Sequence, residues 1–170
     1  MLESRHQKIQ QKMRDPRVRE AEKLACEIFA HKGYKVYSKF NDEYAETEKQ
    51  IEEKSDRGDI IIFYEDNPAI IEVKRLSSDN IFAYFQEPKD FFNGVIVDGV
   101  KQFEDKMQRS LKPFWYVCFN APMTFGFIVK TSDRENWTIK KYNGNEGIKD
   151  YYMSKAVDCR FFKTEDQLHG

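Results

Sequence analysis

Two β-branched runs constrain this chain more than any other feature. They are Arg57-Gly58-Asp59-Ile60-Ile61-Ile62-Phe63 and Ile70-Ile71-Glu72-Val73-Lys74, with Glu65-Asp66-Asn67-Pro68 between them. Asn, Asp and Pro in so short a gap predict a hairpin turn. Side chains alternate between the faces of a strand, so Glu72 and Lys74 share one face and Ile71 and Val73 the other. Folding about Asp66 sets Asp59 opposite residues 72–74. Two carboxylates and an ammonium then converge at one end of a sheet, a donor set suited to a hard divalent cation.

The tripeptide pattern alone says little. Glu52-x-Lys54, Glu87-x-Lys89 and Glu104-x-Lys106 repeat it, as a chain with 34% charged residues must. Those three lie in polar or helical-looking surroundings and read as exposed charge pairs. Glu72-x-Lys74 alone ends an apolar strand, where charge is avoided unless it is paired or functional.

Helical geometry supplies a third carboxylate. Residues 17–32 read as an amphipathic helix that Gly33 ends as a C-terminal cap. Val18, Ala21, Leu24, Ala25, Ile28 and Phe29 fall on one apolar arc, with Glu22 at its edge. Glu22 is the helix carboxylate best placed to reach over the sheet, because Glu20, Lys23 and Glu27 point away.

These residues resemble the PD-(D/E)XK nuclease superfamily, and within it the small Holliday-junction resolvases. The shared features are a first helix bearing a Glu, a Gly leading into an aromatic and aliphatic strand, an Asp opening the next strand and a Glu-x-Lys closing the third. Glu22 lies 11 residues before Gly33, and Asp59 lies 13 before Glu72. The resemblance covers about residues 17 to 110. It implies a restriction-endonuclease-like α/β core, a mixed central sheet flanked by helices. It also implies a metal-dependent DNA endonuclease. Asp59, Glu72, Glu22 and the Val73 backbone carbonyl would hold Mg²⁺, with Mn²⁺ as a substitute, and Lys74 would position or activate the attacking water. Arg19, Lys39, Arg57 and Arg75 are candidate nucleic-acid contacts. Lys101 and Gln102 join them by analogy with nuclease branches that carry a Gln or Lys on the following helix. The active particle is expected to be a homodimer, as in the resolvases, with the aromatic segment Phe82 to Phe92 as its interface. Two departures stand out: Arg57-Gly58 replaces the name-giving Pro, and the acidic segment 41–56 exceeds the corresponding resolvase loop.

Composition fits this reading. At 170 residues with 40% hydrophobic side chains, the chain can bury a core as one domain. A basic arm is expected over about residues 1–16. The polar N-terminus has no apolar signal region and no run of 18 apolar residues occurs, so no membrane association is expected. Cys26, Cys118 and Cys159 form neither a CxxC pair nor an even set, which predicts reduced thiols in a cytoplasmic protein. The net charge of −1 conceals an asymmetry. Residues 1–40 carry ten Lys/Arg against five Asp/Glu, and residues 41–60 carry three against eight. A basic arm near phosphates and an acidic loop kept in solvent account for that distribution.

Elsewhere, Tyr34 to Lys39 predicts a first strand, Val97 to Leu111 a helix, and Phe114 to Asn120 a buried strand. Thr124 to Lys130 and Asn136 to Tyr142 predict a strand pair, and Ala156 to Phe162 a last short strand. His6, His31 and His169 are scattered, and no GxxxxGK[ST] or GxGxxG occurs, so histidine-based and phosphate-loop chemistries are not indicated. Two other functional classes remain open beside the DNA endonuclease. They are an RNA-cleaving enzyme of the same fold and a non-catalytic nucleic-acid-binding module.

Overall fold

The computed structural model describes residues 16–38, 60–144 and 147–169. The basic arm, the acidic segment 41–56, Lys39, Arg57 and Asp59 lie outside the described residues.

Helix α1 (Pro16–His31) starts on a proline, whose missing N–H costs nothing at a helix N-terminus. It ends in a Schellman motif: Tyr34 N–H donates to the Phe29 carbonyl and Gly33 N–H to that of Ala30. Gly33 takes φ 94°, the left-handed conformation this cap needs. The rings of Phe29 and Tyr34 meet edge to face at 5.9 Å and fix the exit of the chain into β1 (Lys35–Ser38).

The predicted hairpin forms from β2 (Ile60–Tyr64) and β3 (Asn67–Arg75), with Ile60 opposite Ile71 and Tyr64 opposite Asn67. The turn is tighter than the four residues set between the runs. Only Glu65 and Asp66 connect the strands, with φ 50° and 67°, the paired positive values of a two-residue hairpin. Asn67 and Pro68 already belong to β3.

Six further strands and two α-helices follow among the described residues. They are β4 (Val95–Gly99), α2 (Val100–Lys106), β5 (Pro113–Phe119), β6 (Phe125–Lys130), β7 (Thr138–Gly144), β8 (Gly147–Ser154), β9 (Arg160–Lys163) and α3 (Thr164–His169). A mixed six-stranded sheet runs β1-β2-β3-β5-β6-β9, with β3 and β5 parallel and its other pairs antiparallel. A second sheet runs β4-β8-β7. The class is α/β with a mixed central sheet, as expected, but helices dominate only one of its faces. There α1 sets Ala21, Ala25, Ile28 and Phe29 against Ile71, Val73, Val117, Phe119 and Ile128. On the other face, Val95, Val97 and Phe103 from β4 and α2 pack against Tyr116, Cys118, Phe127 and Val129.

Several expected elements are corrected. The helix predicted over Val97 to Leu111 is only α2, because Val97 to Gly99 belong to β4, whose β-branched Val95 and Ile96 pair with β8. β6 and β7 do not pair with each other: β6 is occupied on both edges by β5 and β9, and β7 joins β8, a strand not foreseen. Ala156–Asp158 is a 3₁₀ turn, which leaves the last strand shorter than expected. The three cysteines are free thiols. Among the described residues no helix is long and apolar enough to cross a membrane.

Candidate functional site

Alternation along β3 sorts its residues as predicted. Ile71 and Val73 enter the layer under α1, while Glu72 and Lys74 stand opposite Tyr116 and Cys118 of β5, on the other face. That face is otherwise apolar and aromatic, so the charges there form a compact cluster. Its centre is Asp98, at the end of β4 and 7% exposed.

Asp98 collects donors from three directions. Its Oδ2 accepts from Lys106 Nζ at 2.7 Å and from the Tyr116 hydroxyl at 2.8 Å. Its Oδ1 accepts from the Gly99 N–H at 2.9 Å and lies 3.8 Å from Lys74 Nζ. Lys74 also donates to the Val97 carbonyl. Lys106 Nζ reaches Glu72 Oε2 at 3.7 Å, which links the second carboxylate to the cluster. Both ammonium groups lie near the Tyr116 ring, Lys74 at 5.3 Å and Lys106 at 5.7 Å from its centroid.

The environment sets the protonation states. Burial alone pushes the Asp98 carboxyl up, but Lys74, Lys106 and the hydrogen bonds from Lys106 and Tyr116 together outweigh it and hold its pKa below the usual carboxylate value. For Lys74 the balance runs the other way. Desolvation and the like charge of Lys106 outweigh the attraction of Asp98 and Glu72, so its pKa falls below the usual lysine value. The Lys74 side chain as a whole keeps 37% of its surface open to solvent, while its amine is held by the Val97 carbonyl and Asp98. Beside it, burial pushes the Cys118 thiol up to about 12, which keeps that thiol protonated and poorly nucleophilic.

The other predicted residues distribute as follows. Glu22 is 3% exposed, a carboxylate enclosed on the packed face of α1. The helix carrying it lies on the Ile71 and Val73 side of β3, opposite the side of Glu72 and Lys74. Val73 is buried and pairs with Val117. Arg75 spends its guanidinium within the protein, donating to the Ala121 carbonyl at 2.9 Å and pairing with Glu20 at 3.0 Å, which ties the end of β3 to α1. Arg19 is half-buried on α1, Lys101 is exposed on α2, and Gln102 is half-buried with its Oε1 enclosed. On α2 it is Lys106, rather than Lys101 or Gln102, that approaches Glu72. Among the described residues no three His, Cys, Asp or Glu side chains gather to hold a metal ion. The described portion of the site is therefore two lysines interleaved with two carboxylates.

Sequence reasoning missed Asp98 and Lys106. Asp98 fell inside a predicted helix, and Lys106 belongs to the Glu104-x-Lys106 pair that reads as surface charge. One signal could have found Asp98: an acidic residue directly after the apolar run Val95-Ile96-Val97, the same pattern that singles out Glu72. No protein-family model, no curated protein and no solved structure matches this chain.

Proposed function

We propose that this chain is a metal-dependent endonuclease of the PD-(D/E)XK type that hydrolyses phosphodiester bonds, with DNA as its substrate. The observation that carries the reading is Glu72 and Lys74 emerging together from one face of an interior strand, within a cluster where burial lowers the pKa of the lysine. The exposed pair Glu87-x-Lys89 has no such surroundings. The order of helix α1, strands β1 to β3 and a parallel β5 is also compatible with the resemblance drawn from the sequence.

The donor set fits Mg²⁺ or Mn²⁺ in kind. The Glu72 carboxylate and the Val73 carbonyl are hard oxygens, and Mg²⁺ commonly takes only one or two protein carboxylates with water completing its shell. By the resemblance drawn from the sequence, Asp59 would be the second carboxylate; it lies outside the described residues. When bound, the cation would supply Lewis-acid polarisation of the phosphate and of the attacking water. The chain's own residues supply the rest. Glu72 anchors negative charge against the cation. Lys74 holds the attacking water or receives its proton, since its neutral form is favoured by burial and by Lys106. In its charged form the same amine stands against the charge that develops on phosphorus-bound oxygen.

A substrate panel tests this. Four-way junction, plasmid, single-stranded DNA and RNA are each incubated with Mg²⁺, with Mn²⁺ and with EDTA. Cleavage of at least one substrate with metal, and none in EDTA, is the expected result. Failure to cut anything, together with calorimetry that detects no Mn²⁺ binding, overturns the proposal. Cleavage of RNA but not DNA would keep the chemistry and reassign the substrate.

A further inference from the structure

The β7–β8 hairpin sorts its side chains by face as β3 does. Directly opposed residues of an antiparallel pair share a face. The register opposes Lys140 to Tyr151, Tyr142 to Lys149 and Lys141 to Asp150. One face therefore carries Lys140, Tyr142, Lys149 and Tyr151, and the other carries Lys141, Asp150 and Tyr152. The Tyr152 ring packs on Phe103 and Trp137 of the core, which turns the first face outward. Asp150 is the one carboxylate in the two strands, and it pairs with Lys141 at 3.2 Å on the opposite face. The outward face thus holds two ammonium groups and two phenol rings, with no carboxylate from these strands.

Tyr151 sets the positions of the others. Lys149 Nζ lies 5.2 Å from the centroid of its ring, and the Tyr142 ring meets it edge to face at 5.9 Å. Gly99 stands opposite Tyr151 in β4, and a Cβ built there would come within 2.6 Å of Lys149 Cε. The missing side chain leaves the lysine stem its path across the sheet. Lys140 Nζ reaches only a neutral acceptor, the Asn93 carbonyl at 3.5 Å, which leaves its charge uncancelled. Tyr142 is 38% exposed. An accessible ring beside positioned cations complements a strand with unpaired bases, whose phosphates meet the ammonium groups while a base lies on the ring. A duplex keeps its base faces stacked on one another and offers the ring nothing.

We propose that the outward face of the β7–β8 hairpin binds a single-stranded polynucleotide, with Lys140 and Lys149 on its phosphates and Tyr142 stacked on a base. The choice of a polynucleotide rests on the nuclease reading, but the face itself is built apart from Glu72 and Lys74.

Fluorescence anisotropy in EDTA, where the proposed cleavage is off, tests this with labelled oligothymidylate, oligouridylate and a DNA duplex of equal length. Wild type should bind at least one of the single strands more tightly than the duplex, and the preferred strand identifies the sugar. Tyr142→Ala should weaken that binding about tenfold, the scale of one lost base stack, with an unchanged salt dependence. Tyr142→Phe keeps the ring and should bind as wild type does, which separates stacking from damage to the hairpin. Lys149→Gln should lower the slope of log affinity against log salt by about 0.7, the share of one single-strand phosphate contact. Lys141→Gln, on the opposite face, should leave both affinity and slope in place. The two lysine variants decide the matter even if Tyr142→Ala does not fold.

Tighter binding of the duplex, full affinity in Tyr142→Ala, or equal slopes for Lys149→Gln and Lys141→Gln would each overturn the role of this face. Metal-dependent cleavage that persists beside any of those results leaves the nuclease reading intact. Single-strand binding that follows the variants as expected, with no cleavage of any substrate in metal, would instead overturn the nuclease reading and keep the face.

Discussion

The two faces of strand β3 are built from adjacent residues and do opposite things. Under α1, Ile71 and Val73 meet Ala25, Ile28, Phe29, Val117 and Phe119 in a layer made almost wholly of hydrocarbon. On the reverse side Glu72 and Lys74 meet Asp98, Lys106 and Tyr116, four charges and a hydroxyl set into an aromatic surround. The first face is stabilised by burial, which is non-directional and tolerates exchange of one aliphatic residue for another of similar volume. The second depends on geometry, because a buried charge deprived of its partner costs more than the pair ever contributed. One strand thus separates an apolar face from a charged one with no loop between them. The charged residues are held by the same backbone ladder that holds the core.

Substituting each face in turn should separate stability from turnover. The largest effect is expected at Lys74. Lys74→Ala should leave nucleic-acid binding largely in place and lower turnover by about a hundredfold or more, the usual scale for losing a positioned acid–base group. Single-turnover kinetics beside a binding assay check this, and equal losses in both would reduce Lys74 to a phosphate contact. Next in size is Ile71→Ala on the opposite face. Ile71 is fully buried, so truncation should cost about 2–5 kcal/mol in denaturant unfolding while each folded molecule keeps its activity. An Ile71→Ala variant that stays stable but loses turnover would show that the two faces are not separate.

The division between faces is legible in the sequence because it depends only on the period of a strand. Alternation places Glu72 and Lys74, the short polar gap forces the hairpin, and Gly33 ends α1 through local contacts. The rest of the cluster depends on pairing that local pattern does not encode. Asp98 reaches the site because β4 joins β8, more than fifty residues further along, and the run Val95 to Val97 looks equally suited to a helix. Lys106 approaches Glu72 because the short α2 presents it inward, while its neighbour Glu104 accepts from the Tyr152 hydroxyl. Spacing alone makes Glu104-x-Lys106 indistinguishable from Glu87-x-Lys89. The latter is an exposed pair, its lysine side chain 80% accessible.

A smaller effect should separate the faces by pH. The Asp98 carboxyl is held below its ordinary range in the folded chain, so folding releases its proton more readily than the unfolded state does. Its contribution to stability is then present above the unfolded value of about 4 and is lost as pH falls through the lower folded value. Urea unfolding of wild type and Asp98→Asn from neutral pH down to about pH 3 should show the wild-type advantage shrinking over that acid window. Ile71→Ala carries no titrating group and should stay parallel to wild type throughout. A constant gap between wild type and Asp98→Asn would mean that the aspartate contributes through packing instead of charge.

The smallest effect on the folded chain is expected at the aromatic segment between β3 and β4, which is itself divided. Phe85 and Phe91 are buried against Phe127 and Phe161, with the Phe82 ring tilted against that of Phe91 at 4.8 Å. Ile81, Tyr84 and Phe92 are 88%, 67% and 86% exposed. Within this segment the second set is the exposed one, which narrows the interface expected for a homodimer to those three side chains. Phe92→Ser should therefore change monomer stability by no more than about 0.5 kcal/mol, the usual limit for an exposed position. If a two-fold dimer supplies the two centres needed to cut both strands of a duplex, the same substitution should weaken self-association in sedimentation at micromolar concentration. Paired cuts should then give way to nicks while single-strand cleavage continues. A wild-type chain that sediments as a monomer and only nicks would overturn the expected dimer, and under the nuclease proposal each chain would then act alone.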